Sequence, residues 1–157
     1  MATRSSISIR NADGSYTGIY CHWDGYLDNN GRILRDHYTD EAKIRELLAL
    51  GSISSLGEEV GEQHPFDGPS FMDTAAYAAF KERYGRMTTA YGRDRGEEDV
   101  DAVTKGTLSE LMDMISQEYD YVWEDNGWQV RSYHTDDAFV SLADALLLEQ
   151  AEEEEEA

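Results

Sequence analysis

Residues 118–134 alternate with a period of two. Tyr119, Tyr121 and Trp123 fall on one side, and Asp120, Val122 and Glu124 on the other. After Asn126-Gly127 the alternation resumes with Trp128, Val130 and Ser132. An extended chain sends successive side chains to opposite faces, and Asn-Gly readily supplies the positive φ angles of a tight hairpin turn. The segment is therefore expected to be a β-hairpin whose aromatic face must be covered. Residues 5–10 (SSISIR) and 16–22 (YTGIYCH), joined by Asn11-Ala12-Asp13-Gly14, predict a second hairpin. Its first strand is expected to be half-buried, with Ile7 and Ile9 on the inner face.

Helical periodicity follows between and after the hairpins. Helices are expected over 32–38, over 40–50 with Thr39 as its cap and Gly51 as its C′ glycine, over 71–84 with an apolar face, over 107–117, and over 141–156. Residues 23–31 read as a loop, 52–68 as an extended loop with one strand-like turn near Ile53, 87–92 as a strand, and 93–103 as a charged loop. Hairpins and helices without a regular β-α-β alternation predict an α+β fold: an antiparallel sheet of two hairpins packed with about four helices. At 157 residues the chain suits a single domain. That domain is expected to span 1–150, with 151–157 a frayed or disordered acidic tail.

Charge is the second constraint. The formal net charge is −20. Residues 1–93 hold 13 acids and 10 bases, whereas 94–157 hold 20 acids and 3 bases, namely Arg95, Lys105 and Arg131. Such a chain is repelled by phosphates and anionic lipid, so direct binding to nucleic acid or a membrane surface is not expected. No run approaches the roughly 18–20 apolar residues of a spanning helix, and residues 1–10 do not read as a secretory signal. The single cysteine, Cys21, excludes an internal disulfide and a cysteine-based zinc site and fits a reducing, cytoplasmic setting. No cofactor or metal is expected.

Four features carry candidate chemistry. Cys21-His22-Trp23-Asp24, with Asp28, Asp36 and His37, places possible ligands and a thiol together, but neighbours on a strand face opposite ways. Tyr91-Gly92-Arg93-Asp94-Arg95-Gly96-Glu97 offers two guanidinium groups between glycines, either as an anion clamp or as tethers for nearby acids. Acids cluster at Glu97, Glu98, Asp99 and Asp101, at Glu118, Asp120, Glu124 and Asp125, at Asp136 and Asp137, and at Glu149 with 152–156. Such arrays either imitate duplex phosphates towards a basic groove or solvate a small protein. The aromatic hairpin, finally, is either core or an interface anchor.

The residues Ala2-Thr3-Arg4-Ser5, Ile19-Tyr20-Cys21-His22-Trp23-Asp24-Gly25-Tyr26-Leu27, Gly31-Arg32-Ile33-Leu34, His37-Tyr38, Leu50-Gly51, Ile53-Ser54-Ser55-Leu56-Gly57, His64-Pro65-Phe66 and the Tyr91–Glu97 run resemble a family of small acidic proteins of tailed bacteriophages and prophages. The resemblance covers most of the chain up to Glu97 and is looser beyond it. It implies a viral origin and a bacterial cytoplasm, and it carries over no catalytic residues. Accessory phage proteins of this kind often antagonise host defences.

These readings converge on a non-enzymatic inhibitor that occupies the basic groove of a bacterial nucleic-acid-binding protein by DNA mimicry. The targets expected are a restriction or CRISPR effector, another defence nuclease, or a transcription or repair factor. The contact residues expected are Glu97, Glu98, Asp99, Asp101, Asp120, Glu124, Asp125, Asp136 and Asp137, with Trp123 and Trp128 as anchors. One alternative is a ligand- or metal-binding protein or enzyme using His22, Asp24, His37, Arg93 and Arg95. The other is an interaction adaptor using the aromatic hairpin.

Overall fold

The structure is a computed structural model and describes residues 2–156. In chain order the strands are β1 (Ser5–Arg10), β2 (Tyr16–Cys21), β3 (Ile53–Ser55), β4 (Thr89–Ala90), β5 (Val103–Lys105), β6 (Tyr119–Glu124), β7 (Gly127–Arg131) and β8 (Val140–Ser141). The helices are α1 (Arg32–His37), α2 (Glu41–Leu48), α3 (Thr74–Tyr84), α4 (Tyr91–Arg95), α5 (Leu108–Ile115) and α6 (Leu142–Glu156). The fold is mixed α+β, as the sequence predicts.

Both predicted hairpins form. In the second, the turn lies one residue earlier than expected, at Asp125 and Asn126, with φ of 53° and 59°. Both residue types tolerate the left-handed conformation. This register sets Trp123 opposite Trp128 and Tyr121 opposite Val130. The two indoles meet edge to face, 5.5 Å between centroids. A turn at Asn126-Gly127 would instead set Asp125 against Trp128, so the aromatic pair decides the register.

The sheet is mixed rather than purely antiparallel. The hairpins abut through their first strands, β1 and β6, which run parallel with Ile7 beside Tyr121. β3 also runs parallel to β2, with Ile53 beside Cys21, while β5 takes the other end of the same edge, opposite Tyr16, Thr17 and Gly18. The order is β4-β3-β2-β1-β6-β7-β8. Local pattern reports each hairpin but not which strands of different hairpins meet. The long segment between the hairpins supplies the crossover that a parallel pair needs.

β1 is buried on both faces, not one. Ile7, Ile9, Ile19, Tyr121 and Trp123 point into a core closed by Leu34 of α1, Ile44 and Leu47 of α2, and Leu142 and Leu146 of α6. The opposite face carries Ser6, Ser8, Gly18 and Asp120. Helix α5 lies across it with its own buried cluster of Leu111, Met112 and Ile115. A Cβ on Gly18 would stand 2.2 Å from Ser8 Oγ and 2.6 Å from Ile115 Cδ1. Small residues are thus what lets α5 approach the sheet.

Several local expectations change for identifiable reasons. Asp40, not Thr39, caps α2 by accepting from Ala42 N at 2.9 Å. Residues 27–31 form a π-type turn rather than a loop, and Asn30 within it donates to Ser5 Oγ at 3.1 Å. Helix α3 buries none of its residues, and Phe71 and Met72 before it are 74% and 80% exposed, so it is not an amphipathic core helix. The strand expected over 87–92 is confined to β4, because Asp94 reaches back to Ala90 N at 2.7 Å and α4 starts at Tyr91. The expected charged loop is helical at its start, where α4 takes Arg93–Arg95, and ends at Val103, the first residue of β5. The expected frayed tail is helical through Glu156. No helix among the described residues is long and apolar enough to cross a membrane.

Gly51 follows α2 one residue beyond the C′ place expected for it, since the C-cap is Ala49. It has φ +76°, and a Cβ there would lie 2.2 Å from the Val100 carbonyl oxygen. Gly51→Ala should therefore cost about 2 kcal/mol or more, since left-handed strain alone is roughly 1–2 kcal/mol per residue. Ser8 Oγ is buried without a hydrogen-bond partner. Ser8→Ala should accordingly be neutral or stabilising. Urea unfolding of the two variants beside the parent checks both expectations.

Candidate functional site

The Tyr91–Glu97 motif is a structural staple. Arg93 Nε donates to Asp94 Oδ1 at 3.0 Å, and its other nitrogens donate to the carbonyls of Val60 at 2.9 Å and Thr88 at 2.6 Å. Asp94, fully buried, also accepts from the amides of His64 at 3.2 Å and Ala90 at 2.7 Å. Arg95 pairs with Glu97 at 2.7 Å and lies 4.4 Å over the Phe66 ring. Neither guanidinium forms an anion clamp. They tether the segment around residues 60–66 to α4. Burial drives the Asp94 carboxyl upward, but Arg93 and the two amides outweigh it, and the net shift is below the usual carboxylate range.

The remaining members of the alternative pocket are scattered. Tyr20 and His22 are hydrogen-bonded at 2.6 Å, and His22 packs edge-on to Trp23. Asp24 is an exposed turn residue with φ 55°. His37 faces Glu58 at 3.8 Å. No cavity described for the molecule is lined by any two of His22, Asp24, His37, Arg93 and Arg95. No group of three or more potential metal ligands is found among the described residues. Cys21 is fully buried, and burial pushes its thiol up to about 11, which suits a core residue and not a nucleophile.

Three of the expected contact residues lie inside. Trp123 and Trp128 are each 7% exposed, and Trp128 Nε1 donates to the Tyr38 carbonyl at 2.8 Å. They are core, not anchors. Asp120 is 1% exposed. It accepts from Ser6 Oγ at 2.6 Å, Ser116 Oγ at 2.7 Å and Gln117 N at 2.9 Å, and pairs with Arg131 at 3.0 Å. It ties α5 to the sheet. Glu124 is held at the hairpin tips by Tyr16 Oη at 2.9 Å and Arg10 at 3.7 Å.

Glu98, Asp99, Asp101, Asp125, Asp136 and Asp137 are exposed and have no ion-pair partner among the described residues. Asp99, Asp125, Asp136 and Asp137 all have positive φ. Part of the acidity therefore builds tight turns, for which Asp is suited. These acids do not share one face. Residues 97–101 lie on the β3 flank, where Val100 O accepts from Ser52 N at 2.7 Å. Asp125 is at the hairpin tips, and Asp136 and Asp137 follow β7 on the far flank.

The densest concentration is on that far flank. A cavity of about 340 Å³ lies between α6 and the turn Tyr133–Thr135. Its apolar lining is Leu27, Val140, Ala145 and Leu148. Asp144, Glu149 and Glu152 supply carboxylates, and no Lys or Arg lines it. Glu118 and Asp137 line a second depression on the same flank, beside Asp120 and Arg131. His134, Asp144, Leu27 and Leu148 were not expected as site residues. The signal was partly present, because Ala145, Leu148, Glu149 and Glu152 recur at i, i+3, i+4 and i+7 on one helix face.

Comparison with protein-family models, with curated proteins and with solved structures found no match to this chain.

The staple has a pH signature. Its folded carboxyl titrates below its unfolded value, so the stability it adds is full above about pH 5 and is lost as pH falls through the folded value. Asp94→Asn should lower stability at pH 7 by about 3 kcal/mol, the usual scale for removing one partner of a buried pair. The gap from the parent should narrow as pH falls to about 3. Thermal melts of both proteins across that range give the answer.

Proposed function

We propose that this chain is an acidic binding protein that occupies the Lys- and Arg-lined groove of a bacterial nucleic-acid-binding protein, its carboxylates standing where phosphates would. The observation that carries this reading is the fate of the bases in the second half. Arg95 is taken up by Glu97 and Arg131 by the buried Asp120, while Lys105 stands on β5 opposite Tyr16, away from the α6 flank. The surrounding exposed acids are left without internal counter-charges. A surface so arranged attracts a cationic partner and speeds encounter with it.

The docking surface is drawn more narrowly than the sequence suggests. It excludes Asp120, Trp123, Trp128, Arg93 and Arg95, which hold the fold together. It centres on the far flank, with Asp136, Asp137, Glu118 and the carboxylates of α6. The acids at 97–101 are about four strand spacings away, roughly 20 Å at 4.8 Å per strand. They would meet a different part of the partner. The resemblance to acidic phage proteins supports a partner from a bacterial host, with a defence nuclease, restriction or CRISPR effector, or transcription or repair factor as the classes in view.

The test is capture from bacterial lysate at about 100 mM and about 500 mM salt, which roughly halves the Debye length. The expected result is a basic nucleic-acid-binding protein retained at low salt, lost at high salt and displaced by duplex DNA. A variant carrying Glu118→Lys, Asp144→Lys, Glu152→Lys and Glu153→Lys should melt as the parent does yet bind that partner at least tenfold more weakly. Equal binding by the folded variant, or retention at high salt, would refute the mimicry.

A further inference from the structure

We propose that the cavity between α6 and the Tyr133–Thr135 turn is a binding site for an organic cation on a short apolar stem, with an alkylguanidinium as the best-fitting head group. This goes beyond the binding reading above and stands whether or not that reading holds.

The cavity's size comes first. At about 340 Å³ it sits at the lower end of ligand pockets, roughly 300–1,000 Å³. It has room for one side-chain-sized group, and its carboxylates repel the phosphate of a nucleotide. Its sign comes next. Asp144, Glu149 and Glu152 face it without a lining Lys or Arg. His134 is the one basic side chain of the lining, and Arg32, which also acts on Glu149, is already paired with Asp28. An anion is therefore excluded and a cation favoured.

The apolar part selects among cations. Leu27, Val140, Ala145 and Leu148 would give nothing to a hydrated metal ion. No metal-ligating group of three is found among the described residues either. A hydrocarbon stem covers that lining while its charged end reaches the carboxylates.

One atom points to a missing donor. Glu149 Oε1 is out of reach of water and accepts no hydrogen bond. A buried acceptor without a donor is a standing penalty, and a turn of the Glu149 carboxylate into the cavity that brings this oxygen to a ligand N–H removes it. Burial, then Asp28 and Glu153, also raise the Glu149 carboxyl, which marks a group short of positive charge. Glu149 and Glu152 are three residues apart on α6, hence neighbours on one face. A planar guanidinium fork can donate to both at once, as a single ammonium cannot do with fixed geometry.

The test is nuclear magnetic resonance on the full chain with n-butylguanidinium as the probe. Saturable shifts are expected at Leu27, Val140, Ala145 and Leu148. Guanidinium without the stem, and n-butanol without the charge, should each bind at least tenfold more weakly. Glu149→Gln should weaken the probe at least tenfold with an unchanged melt. Asp113→Asn, which removes an exposed acid of α5 outside the cavity, should leave its affinity unchanged. Shifts that never saturate, full binding by Glu149→Gln, or equal weakening by Asp113→Asn would overturn the site. A short peptide with one arginine that displaces the probe marks a partner's side chain as the ligand. A probe that binds and resists the peptide marks a free alkylguanidine. Salt-sensitive capture of a nucleic-acid-binding protein is a separate measurement, so either reading can fail alone.

Discussion

The molecule depends on how β1 is enclosed. It pairs with β2 along one edge and β6 along the other, and from Ser5 to Ile9 neither of its faces meets water. Two hairpins become one sheet only through this strand. Its isoleucines enter the larger core, and its serines leave room for α5. The buried Asp120 then fixes the second layer, since it binds Ser6 of β1, the residues just after α5, and Arg131 of β7 together. A charge so enclosed persists only because each lone pair has a donor.

That arrangement changes the meaning of the acidity. A net charge counts carboxylates without saying what they do. Some are internal struts, as Asp94 and Asp120 are. Some cap helices or shape turns, as Asp40, Asp99, Asp125, Asp136 and Asp137 do. The internal struts are closed to a partner, whereas the turn acids stay exposed, and Asp136 and Asp137 join the carboxylates of α6 on one flank. The functional argument therefore rests on position more than on the total of −20.

The two hairpins, α1, α2, α5 and the start of α6 were legible because each is encoded within a few residues, by a period of two or of 3.6 and by a cap or turn residue. The parallel β1–β6 joint was not, because it is a contact between residues more than 100 apart with no local signature. The same distinction runs through the site. The acids were visible as clusters, but Asp120 looks no different in sequence from the exposed Asp125. Its burial follows from Ser6 and Ser116 arriving from elsewhere in the chain. The run containing Arg93 and Arg95 left a clamp open beside the tether that its acidic surroundings favour. The carbonyls of Val60 and Thr88 decide for the tether, and backbone positions of that kind have no trace in a side-chain pattern.

Helix α6 carries the remaining tension. Its last turns are glutamates, which set negative charge at the negative end of the helix dipole and bring like charges within three and four residues of each other. The dipole term is about 0.3–1 kcal/mol and each like-charge pair about 0.2–0.5 kcal/mol, all opposing the helix. What holds its first half is the apolar contact of Leu142, Ala145 and Leu146 with the core. Beyond Leu146 that support ends, and Leu147 and Leu148 are 64% and 66% exposed. The cavity begins at this transition. A cation seated between Glu149 and Glu152, its stem against Leu148, offsets the repulsion and covers apolar surface where the helix has least support of its own. A ligand that fits there adds to the stability of the helix as it binds, because it binds the folded helix and not the unfolded chain.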